Sequence, residues 1–395
     1  MSESRSVRPV LFIDNYFPVI DGVTETVHEY ARHMNDAVVV CPAMEGRYLE
    51  KNDFPYEVLT SRTLRAPFTR YASAVPKLDP KLAGRIAAKH PDIFHIHSPS
   101  LLGKYAVSLG RKTGIPVVAT FHSKYYDAIY EFTKSRTISK AVTDRIVKVF
   151  ENCDEVWACS EETGETLRSY GYTKPYFVMP NGTDVSAPAD AEVLKERAAE
   201  RFSLPRGKHI LLFVGQTIWY KNQQLILDTM RLLCDRGDDW FLVMAGSGKD
   251  EQEMARYAAR LQLADRVLFT GLIRDRDLLR GVYLNADLLF FPSVFDNAPL
   301  VLREAAVLGV PTLAAEGSNA AGAIRKDFSG YTAEAAPEAM AAEIRRIFRE
   351  TDVQQTGRNA QETIPLAWEK LVPMVLDRYR IVIEQFRIRS ETHHG

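Results

Sequence analysis

Short apolar runs alternate with longer amphipathic stretches along nearly the whole chain. The first series of runs is VLFID (10–14), AVVVC (37–41), IFHIH (93–97), PVVATF (116–121), EVWAC (155–159) and YFVMP (176–180). Helical patterns at 23–34 and 100–113 lie among them. Apolar strands of about five residues separated by helices are typical of a parallel sheet that is covered on both faces.

The pattern restarts after a polar stretch that begins NGTDVSAPAD at residue 181. The second series is HILLFVG (209–215), WFLVMAG (240–246), RVLFTG (266–271), DLLFFPS (287–293) and VPTLAA (310–315). We therefore predict an α/β protein with two doubly wound parallel-sheet domains, 1–185 and 186–363. The last segment, 364–395, has a long helical pattern containing Trp368 and Tyr379, and we expect it to pack back on the first domain.

Composition excludes several classes of protein. The 395 residues are 46% hydrophobic and 26% charged, as in ordinary globular proteins. With 50 lysines and arginines against 51 aspartates and glutamates, we expect no nucleic-acid partner. The four cysteines form no C-x-x-C pair, which fits a reducing compartment. Neither a signal peptide nor a membrane span is expected, so we predict a cytoplasmic protein.

The residues that follow strands are the informative ones, because open α/β sheets bind ligands at the carboxyl ends of their strands. Two such domains facing each other would place a cleft there. Gly22 opens the first predicted helix, where a backbone amide can face an anion, although a plain turn glycine fits equally. The loop is not G-x-G-x-x-G, which argues against a Rossmann dehydrogenase.

Three histidines end adjacent predicted strands of the first domain. His95 and His97 alternate on one strand, and His122 ends the next. Their spacing is not that of H-E-x-x-H and no cysteine accompanies them, so a metal site is disfavoured. Polar contacts to a hydroxylated ligand are the preferred interpretation.

In the second domain, charged residues follow two predicted strands. Lys221 lies six residues past Gly215 and could neutralise a phosphate, or be an ordinary solvated loop lysine. Asp296 and Glu304 lie eight positions apart in FDNAPLVLREAA. Asp296 could simply cap the following helix, but Glu304 lies among apolar neighbours, where an unpaired carboxylate is rare. Such a carboxylate suits the vicinal hydroxyls of a ribose or a hexose.

Two further motifs are assigned structural roles. Asp275 and Asp277 resemble a D-x-D metal site, but they precede a helical pattern, so capping explains them better. The AGSG turn at Gly246 and Gly248 is a weak nucleotide signal.

Together these motifs resemble the retaining glycosyltransferases of family 4, which have the two-domain GT-B fold. The resemblance covers nearly the whole chain and rests on PVIDGV, HIHSP, TFH, ACSEET with MPNGTD, VGQ with YKN, and PSVFDNAPLVLREAAVLGVP. It implies a nucleotide-sugar donor bound by the second domain and an acceptor bound by the first. It also implies chemistry without a metal or another cofactor.

The resemblance implies roles for individual residues. Glu304 would bind the donor ribose, Asp296 the transferred sugar, and Lys221 the departing diphosphate. His122 would lie near the reacting carbon, and Gly22 beside the diphosphate. The implied catalytic residues are His122, Lys221 and Asp296, and the implied donor-binding residues are Gly22, Gly215, Gln216, Lys221, Asp296, Asn297, Ala298, Leu300, Val301 and Glu304.

Three positions depart from the family pattern. Asp21 precedes Gly22 where the family usually has two glycines, and Gln216 replaces an arginine, which removes a positive charge from the diphosphate site. Asp296 and Pro299 replace a glutamate and a glycine, so sugar choice or activity could differ.

The acceptor domain also carries a charge asymmetry. Residues 47–148 contain 18 lysines and arginines against eight aspartates and glutamates. Within them, 135–150 predicts an amphipathic helix with Ile138, Val142, Ile146 and Val149 on one stripe, and with Arg136, Lys140 and Lys148 away from it. These basic side chains would form either a solvated face of the protein or a surface that binds an anionic membrane.

We therefore expect a hexosyltransferase that moves a hexose from a UDP-hexose to a lipid such as diacylglycerol, at the inner face of the cell membrane. A soluble or polyprenol-linked glycan acceptor is the alternative within this class. A non-catalytic sugar-nucleotide-binding module, a non-hydrolysing epimerase and a purely structural protein are the alternatives outside it.

Overall fold

The computed structural model describes residues 6–18, 21–43, 54–65, 72–183, 187–235 and 239–392. The chain forms two units: residues 1–182 together with 367–395, here unit 1, and residues 183–366, here unit 2. The final helix therefore belongs to the same unit as the first strand. Within the described ranges, no helix is long and apolar enough to cross a bilayer.

Unit 1 is built on a parallel sheet whose strands run in the order β3-β2-β1-β6-β7-β8-β9, beside an antiparallel β4–β5 pair. Its strands are β1 (Pro9–Phe12), β2 (Val38–Pro42), β3 (Glu57–Ser61), β4 (Thr63–Arg65), β5 (Ala72–Ala74), β6 (Ile93–Ile96), β7 (Val117–Phe121), β8 (Glu155–Ala158) and β9 (Phe177–Val178). Its helices are α1 (Gly22–His33), α2 (Leu82–Ala87), α3 (Leu101–Thr113), α4 (Tyr125–Thr133), α5 (Arg136–Glu151), α6 (Glu161–Ser169) and, after unit 2, α14 (Trp368–Thr392).

Unit 2 repeats the architecture with a parallel sheet in the order β12-β11-β10-β13-β14-β15. Its strands are β10 (His209–Val214), β11 (Trp240–Ala245), β12 (Val267–Gly271), β13 (Leu288–Phe291), β14 (Thr312–Ala315) and β15 (Tyr331–Ala333). Its helices are α7 (Ala191–Phe202), α8 (Gln223–Cys234), α9 (Glu251–Arg260), α10 (Arg276–Asn285), α11 (Leu300–Val307), α12 (Pro337–Glu350) and α13 (Val353–Thr363). The prediction of two parallel-sheet α/β domains is confirmed.

Full burial of the central strands explains their sequences. All four residues of β1 and of β13 are buried, as are all five of β7, because helices cover both faces of each sheet. Polar residues therefore concentrate where the strands end, and this places the candidate site.

Two glycines of the AGSG turn allow the loops after β10 and β11 to touch. A Cβ on Gly246 would lie 1.9 Å from the carbonyl oxygen of Gly215, and one on Gly248 would lie 2.2 Å from that of Thr217. Gly246 also has φ of +139°, which side chains rarely adopt. The motif thus brings two loops together at the edge of the sheet where a ligand would bind.

The amphipathic helix predicted over 135–150 is α5, and of its predicted apolar stripe Val149 is buried, Val142 and Ile146 are half-buried and Ile138 is exposed. Its buried residues include Ser139, Thr143, Val147 and Phe150. Ile138 is 49% exposed, since it lies on the first turn at the edge of the packed face.

Candidate active site

Lys221 and Asp296, the two predicted catalytic residues of unit 2, contact each other. Lys221 ends a 3-10 turn (Trp219–Lys221) after β10, and Asp296 lies in the loop after β13, the neighbouring strand. The Lys221 Nζ atom lies 2.7 Å from Asp296 Oδ1, and both side chains are mostly buried. Two loops that follow paired strands therefore converge on one ion pair.

Ser293 completes this cluster and was missed at the sequence level. Its hydroxyl donates to Asp296 Oδ2 at 2.5 Å, so both oxygens of the carboxylate are bonded. Ser293 is fully buried, and it could have been suspected from its place directly after a buried strand. The cluster fixes a single lysine ammonium at the strand ends, where it can stabilise an anion.

Glu304 lies on α11 and is held by α10. The hydroxyl of Tyr283 donates to Glu304 Oε2 at 3.0 Å, and Arg276 Nη1 lies 3.6 Å from Oε1. Burial raises the pKa of Tyr283 well above its usual value, and Glu304 raises it further, so this hydroxyl stays protonated and donates. The carboxylate is fixed in orientation and borders a small pocket.

A buried amide pair links the loops after β13 and β14. Asn319 Nδ2 donates to Asn297 Oδ1 at 2.9 Å, and both residues are buried. Asn297 was a predicted donor-binding residue, whereas Asn319 was missed because nothing in its local pattern GSNAAG marks it. The pair fixes the loop that carries Asp296.

The remaining predicted residues of unit 2 lie in the loop after β10, in the loop before α11 and in α11 itself. Gly215 follows β10, and the side chain of Gln216 is exposed while its carbonyl accepts from Gln223 Nε2 at 2.6 Å. Ala298 precedes α11, and the half-buried Leu300 and Val301 form its first turn.

Gly22 begins α1 of unit 1, and the preceding Asp21 is the N-cap of that helix. Asp21 Oδ1 accepts from the amides of Val23 at 3.0 Å and of Thr24 at 2.8 Å. The aspartate satisfies the amides of Val23 and Thr24, so these two are not open to an anion, whereas the amide of Gly22 is not one of its partners. The neighbouring residues 19 and 20 of the PVIDGV motif lie outside the described residues.

The three histidines of unit 1 contact each other and the protein, and the prediction that His95 contacts a ligand is wrong. His95 is fully buried between Tyr379 of α14, at 2.6 Å, and Thr120, at 2.7 Å. His97 Nδ1 lies 2.9 Å from Nε2 of His122, the predicted catalytic histidine. α14 packs on this sheet and its Tyr379 covers His95. The sequence around His95 gives no sign of this contact, because Tyr379 is 284 positions away.

Because of this burial, we expect unit 1 to lose stability in mild acid. Desolvation lowers the pKa of His122 to about 3 and those of His95 and His97 well below the usual value. The unfolded chain takes up these protons near pH 6.5, so each histidine should cost about 1.4 kcal/mol of unfolding free energy per pH unit below that point.

Urea unfolding at pH 7.5 and 5.5 measures this effect. A His97→Asn variant should show a shallower loss between the two pH values than the wild type. His90→Asn is the matched control, since His90 is exposed and has a left-handed backbone that asparagine tolerates. Equal losses in wild type and His97→Asn would contradict the assignment.

The D-x-D motif caps a helix, as expected. Asp275 Oδ1 accepts from the amides of Asp277 and Leu278 at the start of α10, and Arg197 pairs with the same carboxylate. Asp277 pairs with Arg280. Over the described ranges, no group of three or more potential metal ligands is present.

Two family models match successive parts of the chain. The model described as Glycosyltransferase Family 4 matches residues 20–187, and the model described as Glycosyl transferases group 1 matches residues 195–363. The two matches fall on unit 1 and unit 2 almost separately.

Characterised relatives and solved structures agree with these matches. The chain is 24% identical to the alpha-monoglucosyldiacylglycerol synthase of Streptococcus pneumoniae, over 77% of this chain and 70% of that protein. It is also 24% identical to a GDP-mannose-dependent alpha-mannosyltransferase of Corynebacterium glutamicum, over 96% and 90%. The Anabaena protein HepE, solved with UDP-glucose, superposes with a TM-score of 0.75 at 14% identity, over 96% of this chain and 99% of that one.

The two parallel-sheet units have the GT-B fold, and the two family-model matches identify the chain as a glycosyltransferase. The chain belongs to glycosyltransferase family 4.

Proposed function

We propose that the protein transfers a hexose from a UDP-hexose to diacylglycerol with retention of the anomeric configuration. The observation that carries the proposal is the pair of fixed groups in unit 2: the Lys221–Asp296 ion pair and the Glu304 carboxylate held by Tyr283. The S. pneumoniae relative supports a lipid acceptor by its name, and the HepE complex supports a UDP donor.

In the proposed donor complex, Glu304 accepts hydrogen bonds from the two ribose hydroxyls. Tyr283 holds one carboxylate oxygen, so little side-chain freedom is lost on binding. Lys221 leaves Asp296 in part or wholly to contact the diphosphate, and Ser293 continues to hold the aspartate. Asp296 then faces the transferred sugar with one oxygen released.

In the proposed transfer step, the bond from the anomeric carbon to the phosphate oxygen breaks and its electron pair stays on the phosphate. The acceptor oxygen forms its new bond on the same face of the sugar. The acceptor proton passes to the leaving phosphate oxygen, so no protein base is needed. Lys221 stabilises the charge that grows on the diphosphate, and no metal is required for this step.

A surface on unit 1 supports a membrane-bound acceptor. α4 has no fully buried residue, its Phe132 is 90% exposed, and the rings of Tyr126 and Tyr130 stack. α4 and α5 pack against each other, and the adjoining α5 carries the half-exposed Ile138 with exposed basic residues. Exposed aromatic rings beside basic side chains suit the headgroup region of an anionic bilayer. Residues 47–53 and 66–71 of the basic segment lie outside the described residues.

We expect the protein to sediment with vesicles in proportion to their content of anionic lipid, and less so at high salt. Replacing Arg136, Arg145 and Lys148 by glutamine should weaken vesicle binding about 100-fold, at about 1 kcal/mol per basic residue. The control replaces three exposed basic residues of unit 2, Arg206, Lys249 and Arg256, in the same way. Protein that stays in the supernatant at every composition would favour a soluble acceptor.

Gln216→Arg is expected to tighten UDP binding several-fold. The exposed Gln216 follows Gly215 in the loop that leads to Lys221, so an arginine there would add a charge for the diphosphate. The gain should shrink as salt is raised. Gln224→Arg, on the exposed face of α8, is the control, and unchanged or weaker UDP binding by Gln216→Arg would show that Gln216 has a role of its own.

A screen of donors and acceptors tests the proposal as a whole. The full-length protein is incubated with UDP-glucose, UDP-galactose, GDP-mannose or ADP-glucose, with vesicles containing diacylglycerol or a polyprenol, and lipid products are identified by mass spectrometry. A hexosyl-diacylglycerol formed from a UDP-hexose is the expected product. Product only on the polyprenol, or only from GDP-mannose, would overturn the acceptor or the donor assignment respectively.

A further inference from the structure

Lys221, the lysine proposed to stabilise the leaving diphosphate, is carried by a very short element. It is the last residue of the 3-10 turn Trp219–Lys221, which lies between β10 and α8. A turn of three residues has few hydrogen bonds of its own. The preceding residue, Ile218, has no side-chain oxygen with which to cap it. The position of the lysine ammonium therefore depends on contacts from outside the turn.

Asp250, in the loop after β11, supplies two such contacts. Its Oδ2 atom accepts from the backbone amide of Trp219, the first residue of the turn, at 3.0 Å. Its own backbone amide donates to the carbonyl oxygen of Thr217 at 3.2 Å. A single residue, 31 positions away in sequence from Trp219, thus holds the loop on both sides of Ile218.

The direction of this carboxylate is unusual, because Asp250 is also the N-cap residue of α9. An aspartate at that position normally accepts from the first amides of its own helix, as Asp275 does for α10. In α9, which is described over its whole length, no amide donates to the side chain of Asp250. The side chain is only 16% exposed. It therefore caps the turn that carries Lys221 in place of its own helix.

We propose that Asp250 is a positioning residue for the transfer reaction. By capping the turn Trp219–Lys221, it holds the Lys221 ammonium where charge develops on the leaving diphosphate. Asp250 acts through Lys221 and not on the substrate. The inference rests on the proposed function, from which it takes the role of Lys221. A displacement of about 1 Å can cost about 100-fold in rate, so loss of the cap should appear in kcat.

Asp250→Ala should lower kcat at least tenfold, with UDP-glucose and vesicles containing diacylglycerol, while KM for the donor changes less than threefold. Asp250→Asn keeps an oxygen that can accept from the Trp219 amide, so its kcat should stay within threefold of the wild type. In a Lys221→Ala background, Asp250→Ala should lower kcat less than twofold, because the group that it positions is absent.

Asp287 provides a matched control at the opposite end of β10. Its amide donates to the carbonyl oxygen of Ile210 at 2.9 Å, and its Oδ2 atom accepts from the amide of the same residue at 2.8 Å. These contacts are of the same kind as those of Asp250, but they hold the amino end of the strand, away from Lys221. Asp287→Ala should therefore lower the melting temperature and leave kcat unchanged.

Hydrogen exchange followed by mass spectrometry measures the turn without any substrate. In the full-length protein, Asp250→Ala should speed the exchange of the amides in 218–222 at least tenfold, because their cap is lost. Asp287→Ala should leave exchange in this segment unchanged. Equal exchange in Asp250→Ala and wild type would overturn the proposal.

Failure of this inference differs from failure of the proposed function. Equal losses of kcat on Asp250→Ala in the wild-type and Lys221→Ala backgrounds would overturn the inference alone, because Asp250 would then act only through stability. A wild-type protein that forms no hexosyl product, or a Lys221→Ala variant with wild-type kcat, would overturn the proposed function, and the positioning role would fall with it.

Discussion

Glu304→Gln is expected to weaken UDP binding roughly 30- to 150-fold. A carboxylate that accepts two ribose hydrogen bonds loses its charge in this variant, and each bond should weaken by about 1–1.5 kcal/mol. Glutamine is preferred to alanine because it keeps an acceptor for the buried Tyr283 hydroxyl, which would otherwise be left unsatisfied. Calorimetry measures the affinity, and a thermal melt compares the stability.

The matched control is Glu316→Gln, which neutralises an exposed glutamate of unit 2 that pairs with Lys326. It should leave UDP affinity unchanged. A folded Glu304→Gln variant with wild-type affinity would remove Glu304 from the donor site.

Lys221→Ala should lower kcat at least 100-fold while changing KM for the donor less than about fivefold. The charge on the leaving diphosphate grows toward the transition state, so Lys221 stabilises that state more than the bound substrate. Initial rates over a range of donor concentrations separate the two constants.

Two variants accompany it. Lys208→Ala removes a partly exposed lysine that precedes β10, at the end of that strand away from Lys221, and should leave both constants unchanged. Asp296→Asn tests the ion pair: it frees Lys221 but removes a carboxylate from the sugar, so a lower kcat with unchanged or tighter UDP binding is expected. A rise in KM with kcat unchanged in Lys221→Ala would show that the lysine only binds the donor.

Much of the fold could be predicted from the sequence because buried parallel strands leave a strong local signal. The continuous runs of β1, β7, β10 and β13 stand out from their surroundings. β3 was missed because its sequence EVLTS mixes polar and apolar residues, as expected for a strand at the sheet edge. The buried face of α5 was predicted only in part, because it includes Ser139 and Thr143, which are not apolar, beside the predicted Val149.

The candidate site was only partly predictable, because motifs give residue types and not the contacts between them. The sequence singled out Lys221 and Asp296, but their pairing across 75 positions depends on the order of β10 and β13. The bond between His95 and Tyr379 spans 284 positions and depends on the return of α14. Asp21 was noted as a departure, yet its capping of α1 follows from backbone geometry.

A crystal structure of the protein with UDP bound is the most direct test of the account. We expect the ribose hydroxyls within hydrogen-bond distance of Glu304 and the diphosphate on Lys221, with Tyr283 still donating to Glu304. UDP bound elsewhere, with the Lys221–Asp296 pair and the Tyr283–Glu304 bond undisturbed, would contradict it.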